Sequence, residues 1–266
     1  QVLNRLTQKL AQLKKDNKKA LVAYLVAGDP DIDTTIELME LFVNSGVDIL
    51  EIGVPFTDPI AEGPIIQKAH DRALKKHTSL KIIFDMVQKF RTTYNETPIV
   101  LMGYLNTFIS NKKLIEKNDN NVIDSILIVD IPGEFSLKDY GIDNNNINTI
   151  SLISPTTNKE RIESISKNSS GFVYYVTLRG VTGSSNLDIN EINENIQEIR
   201  KYASVPTLAG FGIKTPEDAK LLANCSDGVI IGSSLVKMIE ENSNSKEFDR
   251  IGAYTVSYTH LRAHET

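Results

Sequence analysis

The chain has 266 residues, 41% hydrophobic and 24% charged, with a formal net charge of −5 at pH 7. A chain of that size fills the core of one large domain or two medium ones, and its acidic balance argues against a nucleic-acid or membrane-surface partner. No apolar run approaches the roughly 18 residues of a membrane span, and the single Cys225 excludes an intrachain disulfide framework.

The first element is an amphipathic helix within "QVLNRLTQKLAQLKKDNKK", which lacks the apolar block of a signal peptide. With one cysteine and no such block, a reducing compartment fits, and a cytoplasmic protein is expected. From residue 20 to about 240, β-branched apolar runs alternate with segments of helical period. Strands are expected at 20–27, 47–53, 98–104, 124–131, 147–154, 171–178, 205–210 and 227–232. Their near-continuous apolarity suits strands covered on both faces.

Helices are expected near 32–45, 63–75, 79–93, 111–118, 134–140, 158–168, 188–202, 215–223 and 233–241. Asp33, Thr78 and Thr215 read as their caps, with Pro216 in a first turn where its missing N–H is harmless. Eight strands with eight crossovers predict a (β/α)8 barrel, a TIM barrel, as a single domain over residues 1–243. A doubly wound open sheet is the rival, although "AGDP" after the first strand is a turn and no dinucleotide loop. "EKNDNN" and "GIDNNNIN" read as loops. Residues 244–266 form an atypical tail, read from about Tyr254 as disordered or foreign to the fold, and its two histidines receive no role.

The second strand leads into "EIGVPFTDPIAEGP", which sets Glu51, Asp58 and Glu62 among three prolines. Glu51 ends its strand whichever parity faces the axis, and in barrels the C-terminal strand ends carry the chemistry. A carboxyl in that apolar collar should hold its proton to higher pH, as a proton shuttle near neutrality requires. Taken singly, Glu51 could pair with a distant cation, Asp58 could make an Asx turn before Pro59, and Glu62 could be a first-turn helix acid.

Glycine clusters follow the last three strands: "GVTGSS" (180–185), "GFGIKTP" (210–216) and "IGSSL" (231–235). Loops after the seventh and eighth strands of such barrels commonly bind phosphate through backbone N–H groups. Gly212, Gly232 and Ser233 are candidates, with turn-making and N-capping as the plainer reading.

Absences narrow the chemistry. No predicted strand contains a lysine for a Schiff base, and only His70 and His77 lie inside the fold, too few for a metal centre. Proton transfer on a substrate that supplies its own electron sink remains.

"YLVAGDPD", "EIGVPFTDPIAEGPIIQKA", "VDIP", "LRGVTGSS", "GFGIKTPEDA" and "IGSSLVKMIEEN" together resemble the tryptophan synthase α subunit family, in order and with its spacing over roughly residues 3 to 243. The resemblance implies a TIM-barrel lyase of tryptophan biosynthesis. It would cleave indole-3-glycerol phosphate to indole and glyceraldehyde 3-phosphate. It also implies a β-subunit partner in an α2β2 tetramer, which receives the indole, with pyridoxal phosphate (PLP) in that partner and no cofactor in this chain.

On the same resemblance Glu51 matches the general acid–base residue, and the second catalytic carboxylate, an aspartate in the family, falls at Glu62. Tyr174 and Tyr104 match substrate-site and mouth positions, Thr182 the closing loop, and Phe211 a neighbour of the phosphate. Gly183, Gly212, Gly232 and Ser233 match phosphate ligands, and Asp58 and Asp130 loop positions near the partner. Glu62 departs from the family: its extra methylene moves the carboxylate by roughly 1.5 Å, and a shift of that order can cost about a hundredfold in rate. Two alternatives stay open, a stand-alone indole-3-glycerol phosphate lyase and a weakened barrel kept as a regulatory partner.

Overall fold

The computed structural model describes residues 4–177, 187–210 and 212–260. Parallel strands close into a barrel in sequence order: β1 (Ala20–Val26), β2 (Ile49–Gly53), β3 (Ile99–Gly103), β4 (Ser125–Ile128), β5 (Asn148–Ile153), β6 (Val173–Val176), β7 (Thr207–Gly210) and β8 (Gly228–Ile231). Each lies within one of the expected apolar runs, and β8 pairs with β1, which removes the open-sheet alternative.

The helices are α1 (Arg5–Lys15), α2 (Ile32–Asn44), α3 (Pro64–Lys75), α4 (Leu80–Arg91), α5 (Leu105–Ser110), α6 (Lys112–Lys117), α7 (Lys159–Lys167), α8 (Ile189–Tyr202), α9 (Pro216–Cys225), α10 (Ser233–Asn242) and α11 (Asp249–Thr259). Among the described residues none is long and apolar enough to cross a membrane.

Alternation along each strand divides the core. Leu21, Leu25, Leu50, Ile52 and Leu101 pack outward beneath the helices, against residues such as Met39, Phe42 and Phe90. Val22, Ile49, Val100, Leu127, Phe172 and Leu208 fill the interior together with Leu6, Leu10 and Leu13 of α1. That helix closes the N-terminal end of the barrel. Asp124, just before β4, ties it down by accepting from Arg5 Nη1 (3.2 Å), Arg91 Nη2 (3.1 Å) and the Ile99 N–H (2.9 Å).

Several local expectations are corrected. α2 is capped by Asp31, not Asp33, and α4 by Ser79, not Thr78; in each the side-chain oxygen accepts the N–H three residues on, which fixes the cap position. Thr215 does cap α9, with Pro216 as its first residue. The helix expected at 134–140 is a 3-10 turn, Leu137–Tyr140, because Pro132 and Gly141 leave too little chain for an amphipathic helix. The helix expected at 111–118 is α6, preceded by α5 and separated from it at Asn111. In the tail, α11 runs through Thr259 and buries Ile251, Thr255 and Tyr258, a single face at i, i+4 and i+7. The loss of order expected from Tyr254 therefore does not hold for that helix.

Candidate active site

Glu51 is the third residue of β2 and shares the inward parity of Ile49. Strand register sets it beside Tyr24 on β1 and Val100 on β3. Its side chain is 1% exposed, and Oε2 is buried without a hydrogen-bond partner among the described residues. Burial, and then the negative charge of Glu62, push the Glu51 carboxyl up to about 8. At neutral pH it is therefore an acid holding a proton it can donate.

Glu62 has the opposite surroundings. It lies on the loop between β2 and α3, directly before Gly63, the N-cap of that helix. Although buried, it is met by donors: Tyr24 Oη donates to Oε1 at 3.3 Å and Tyr104 Oη to Oε2 at 3.1 Å. The Nε2 of His70 stands 2.9 Å from Oε2. Burial, followed by the Glu62 charge, raises both tyrosines, which keeps their hydroxyls protonated and donating. Glu51 stands within a rigid strand with Oε2 bare, and Glu62 on a loop, buried but accepting from two tyrosine hydroxyls. Two carboxyl groups of one charge type are thereby given distinct surroundings, the condition for distinct acid–base tasks.

The two carboxylates share a cavity of about 250 Å³, lined also by Tyr24, Ile66, Tyr174 and Met102. Its walls are largely apolar with a few polar groups converging on it, the usual character of a small-molecule site. Tyr24 reaches Glu62 only because Gly53 has no side chain: a Cβ there would lie 2.3 Å from the tyrosine Oη. Tyr174 of β6 is raised by burial and then by Glu51, and it too remains a neutral phenol.

Gly212, Gly232 and Ser233 line another part of the same cavity. Gly232 is the N-cap of α10 and Ser233 its first residue, with no side chain among the described residues capping that helix. Among the described residues the first N–H groups of α10 are thus without a capping side chain, and a helix start of this kind favours an anion. Gly212 holds φ at +73°, a left-handed conformation that side chains rarely adopt.

The remaining expected residues divide. Tyr104 is buried at the loop base, where it also accepts the Ala61 N–H at 3.2 Å and stacks on Phe56 with centroids 4.6 Å apart. Asp58 is exposed on the loop, and Asp130 is exposed and accepts the Leu105 N–H at 2.8 Å, which caps α5. Neither lines the cavity. Thr182, Gly183 and Phe211 lie outside the described residues.

Sequence reading missed Tyr24 and His70. Tyr24 carries the inward parity of Val22, and His70 falls two helical turns beyond Glu62, so each had a signal of spacing. Among the described residues no group of three or more His, Cys, Asp or Glu has the arrangement of a metal site. A larger cavity of about 610 Å³ lies at the opposite end of the barrel, between Lys14 of α1 and Arg200 of α8, and contains no pair of carboxylates.

A family model described as tryptophan synthase alpha chain matches residues 10–263. The tryptophan synthase alpha chain of Nitrosomonas europaea is 41% identical over 258 residues, covering 96% of this chain and 94% of its own. That of Neisseria meningitidis serogroup B is 44% identical over 252 residues, with 92% and 94% covered. The crystal structure of tryptophan synthase subunit alpha from Legionella pneumophila superposes with a TM-score of 0.86 at 36% identity, covering 98% of both chains.

Proposed function

The chain belongs to the tryptophan synthase alpha chain family, and on that premise we infer that it cleaves indole-3-glycerol phosphate to indole and glyceraldehyde 3-phosphate, with Glu51 and Glu62 as its acid–base pair. The observation that carries the residue assignment is the contrast within one cavity between a carboxyl raised to about 8 and a carboxylate ringed by donors.

The reaction needs a proton on indole C3. Protonated Glu51 supplies it, while Glu62 accepts the hydrogen of the ring N–H. The C2–N1 unit becomes an imine-like electron sink. The Glu51 carboxylate then takes the proton of the glycerol hydroxyl next to the ring. An aldehyde forms there, the C–C bond breaks, and its electrons return to the ring, which recovers its N–H from Glu62. Both carboxyls end as they began. The hydroxyls of Tyr24 and Tyr104 hold Glu62 in place, and Tyr174 with Ile66 and Met102 encloses the ring and excludes water. The phosphate sits at Gly212, Gly232 and Ser233, where the start of α10 meets its charge. On the strength of their family matches alone, Gly183 and Phe211 are assigned to phosphate binding and Thr182 to substrate binding.

Glu62 replaces the family's aspartate and does its work. The chain acts with a β subunit, and we place the two in an α2β2 tetramer. PLP belongs to that β subunit: its Schiff base needs a lysine, and β1–β8 carry none. Cys225, free and buried, fits a reducing compartment, taken to be the cytoplasm.

Indole release by the purified chain from indole-3-glycerol phosphate, with and without a β subunit, tests this reading. Glu51→Gln should abolish release, and Glu62→Gln should reduce it about a hundredfold. Full turnover in either variant removes that residue from the mechanism.

A further inference from the structure

His70 is 1% exposed, in the middle of α3 on the face that also buries Ile66 and Ala73. A histidine so placed needs partners for both ring nitrogens. Its Nδ1 accepts the N–H of Phe56 at 3.0 Å. A neutral imidazole that accepts at Nδ1 carries its proton on Nε2. That nitrogen lies 2.9 Å from Oε2 of Glu62, in contact with it but off the line of an aligned hydrogen bond. Phe56 in turn stacks on Tyr104, whose hydroxyl donates to the same Oε2. Two side chains, each fastened to the 54–63 loop through a backbone N–H (Phe56 for one, Ala61 for the other), thus converge on one oxygen of Glu62.

The other oxygen is left differently. Among the described residues Oε1 receives only the long 3.3 Å bond from Tyr24, which leaves one of its lone pairs unused by them. We propose that His70 is a positioning residue that, together with Tyr104, occupies Oε2 of Glu62 and so presents Oε1 to the substrate's ring N–H. The inference rests on the reading of Glu62 as acceptor of that hydrogen. It explains how a glutamate serves where the family has an aspartate. The added methylene, a reach of roughly 1.5 Å, lets the carboxylate stretch between α3 and the cavity, and the imidazole stops it from swinging. A shorter aspartate would leave the contact with His70.

A histidine that merely fills space under the loop would affect stability and nothing else, so the test measures coupling. Steady-state cleavage of indole-3-glycerol phosphate is compared for His70→Leu and His70→Asn, each in the Glu62 and the Glu62→Asp backgrounds, beside Glu62→Gln. With Glu62 present, His70→Leu should lower kcat about tenfold with KM within about twofold. His70→Asn, which retains an N–H donor, should recover part of that loss. With Asp at position 62 the loss from His70→Leu should be at least about fivefold smaller, since the coupled partner is gone. Equal losses in both backgrounds, or lower thermal stability with unchanged kcat, would overturn the proposal. If His70→Leu does not fold, His70→Asn alone supplies the comparison between backgrounds. Full turnover by Glu62→Gln is a different result: it removes Glu62 itself from the chemistry, whatever His70 does.

Discussion

The hydroxyl of Tyr24 donates to Oε1 of Glu62 at 3.3 Å, joining the first strand of the barrel to the loop that follows the second. Among the described residues it is the one hydrogen bond to the oxygen that we propose faces the substrate. Removing it should leave the carboxylate in place, held by Tyr104 and His70, but freer to turn. Tyr24→Phe is expected to lower kcat about threefold to tenfold, the range of one long hydrogen bond to a charged group. Steady-state kinetics check this; unchanged kcat would make the hydroxyl a bystander.

Glu51 links pH to both rate and stability. Its carboxyl titrates near 8 in the fold against 4.5 in the unfolded chain. Between those values the unfolded chain has lost the proton and the folded one keeps it, so stability falls as pH rises from about 4.5 to about 8. Glu51→Gln should flatten that part of the curve and raise stability at pH 8 by up to about 4 kcal/mol. Urea unfolding at pH 5 and pH 8 measures it. Wild-type turnover should decline as pH rises through about 8, where the acid is lost.

Gly53 is where a single methyl group should be felt. A Cβ at that position would stand 2.3 Å from Tyr24 Oη, with the ring itself close behind. Gly53→Ala should displace the ring and destabilise the fold by about 1–3 kcal/mol. It should also reduce kcat at least as far as Tyr24→Phe does. Thermal melting and kinetics on the same sample decide whether the two losses occur together.

At the phosphate end, a Cβ on Gly232 meets only ordinary contacts with Tyr24, the nearest atom 3.6 Å away, so a side chain there is accommodated. Gly232→Asp would set a carboxylate at the start of α10, where we propose that the phosphate binds. KM should rise about a hundredfold with kcat little changed, and competitive inhibition by inorganic phosphate should disappear. Inhibition that persists would place the anion elsewhere.

Asp124 acts far from the cavity. Its carboxylate serves Arg5, Arg91 and the backbone of β3 at once. Asp124→Ala leaves the buried Arg91 guanidinium unpaired there and should destabilise by about 3–5 kcal/mol, while the folded fraction keeps wild-type kcat. Denaturation midpoints and active-site titration separate the two effects.

The barrel was legible in the sequence because each strand is an apolar run short enough to be nothing else, set between segments of helical period. Glu51 was legible as a strand-end acid, but "VDILEIG" is apolar on both parities, so which side it faced depended on what packed inside, including α1. Tyr24 was hidden in the run "ALVAYLVA", where a tyrosine reads as core. His70 was read only as one histidine too few for a metal; its use depends on a loop folding back on the helix that follows, a contact periodicity does not encode. The caps of α2 and α4 were misplaced because neighbouring residues in both segments carry suitable oxygens, and only backbone direction chooses between them.

The floor that Leu6, Leu10 and Leu13 build under the barrel has a consequence for what happens after bond cleavage. Below Glu51 the interior is solid with Ile49, Val100, Leu127 and Phe172, so that end of the pocket is blind. Neither fragment can depart downward. The aromatic piece and the phosphorylated aldehyde must both leave past the rim, and the slower of the two departures sets when the next substrate can enter.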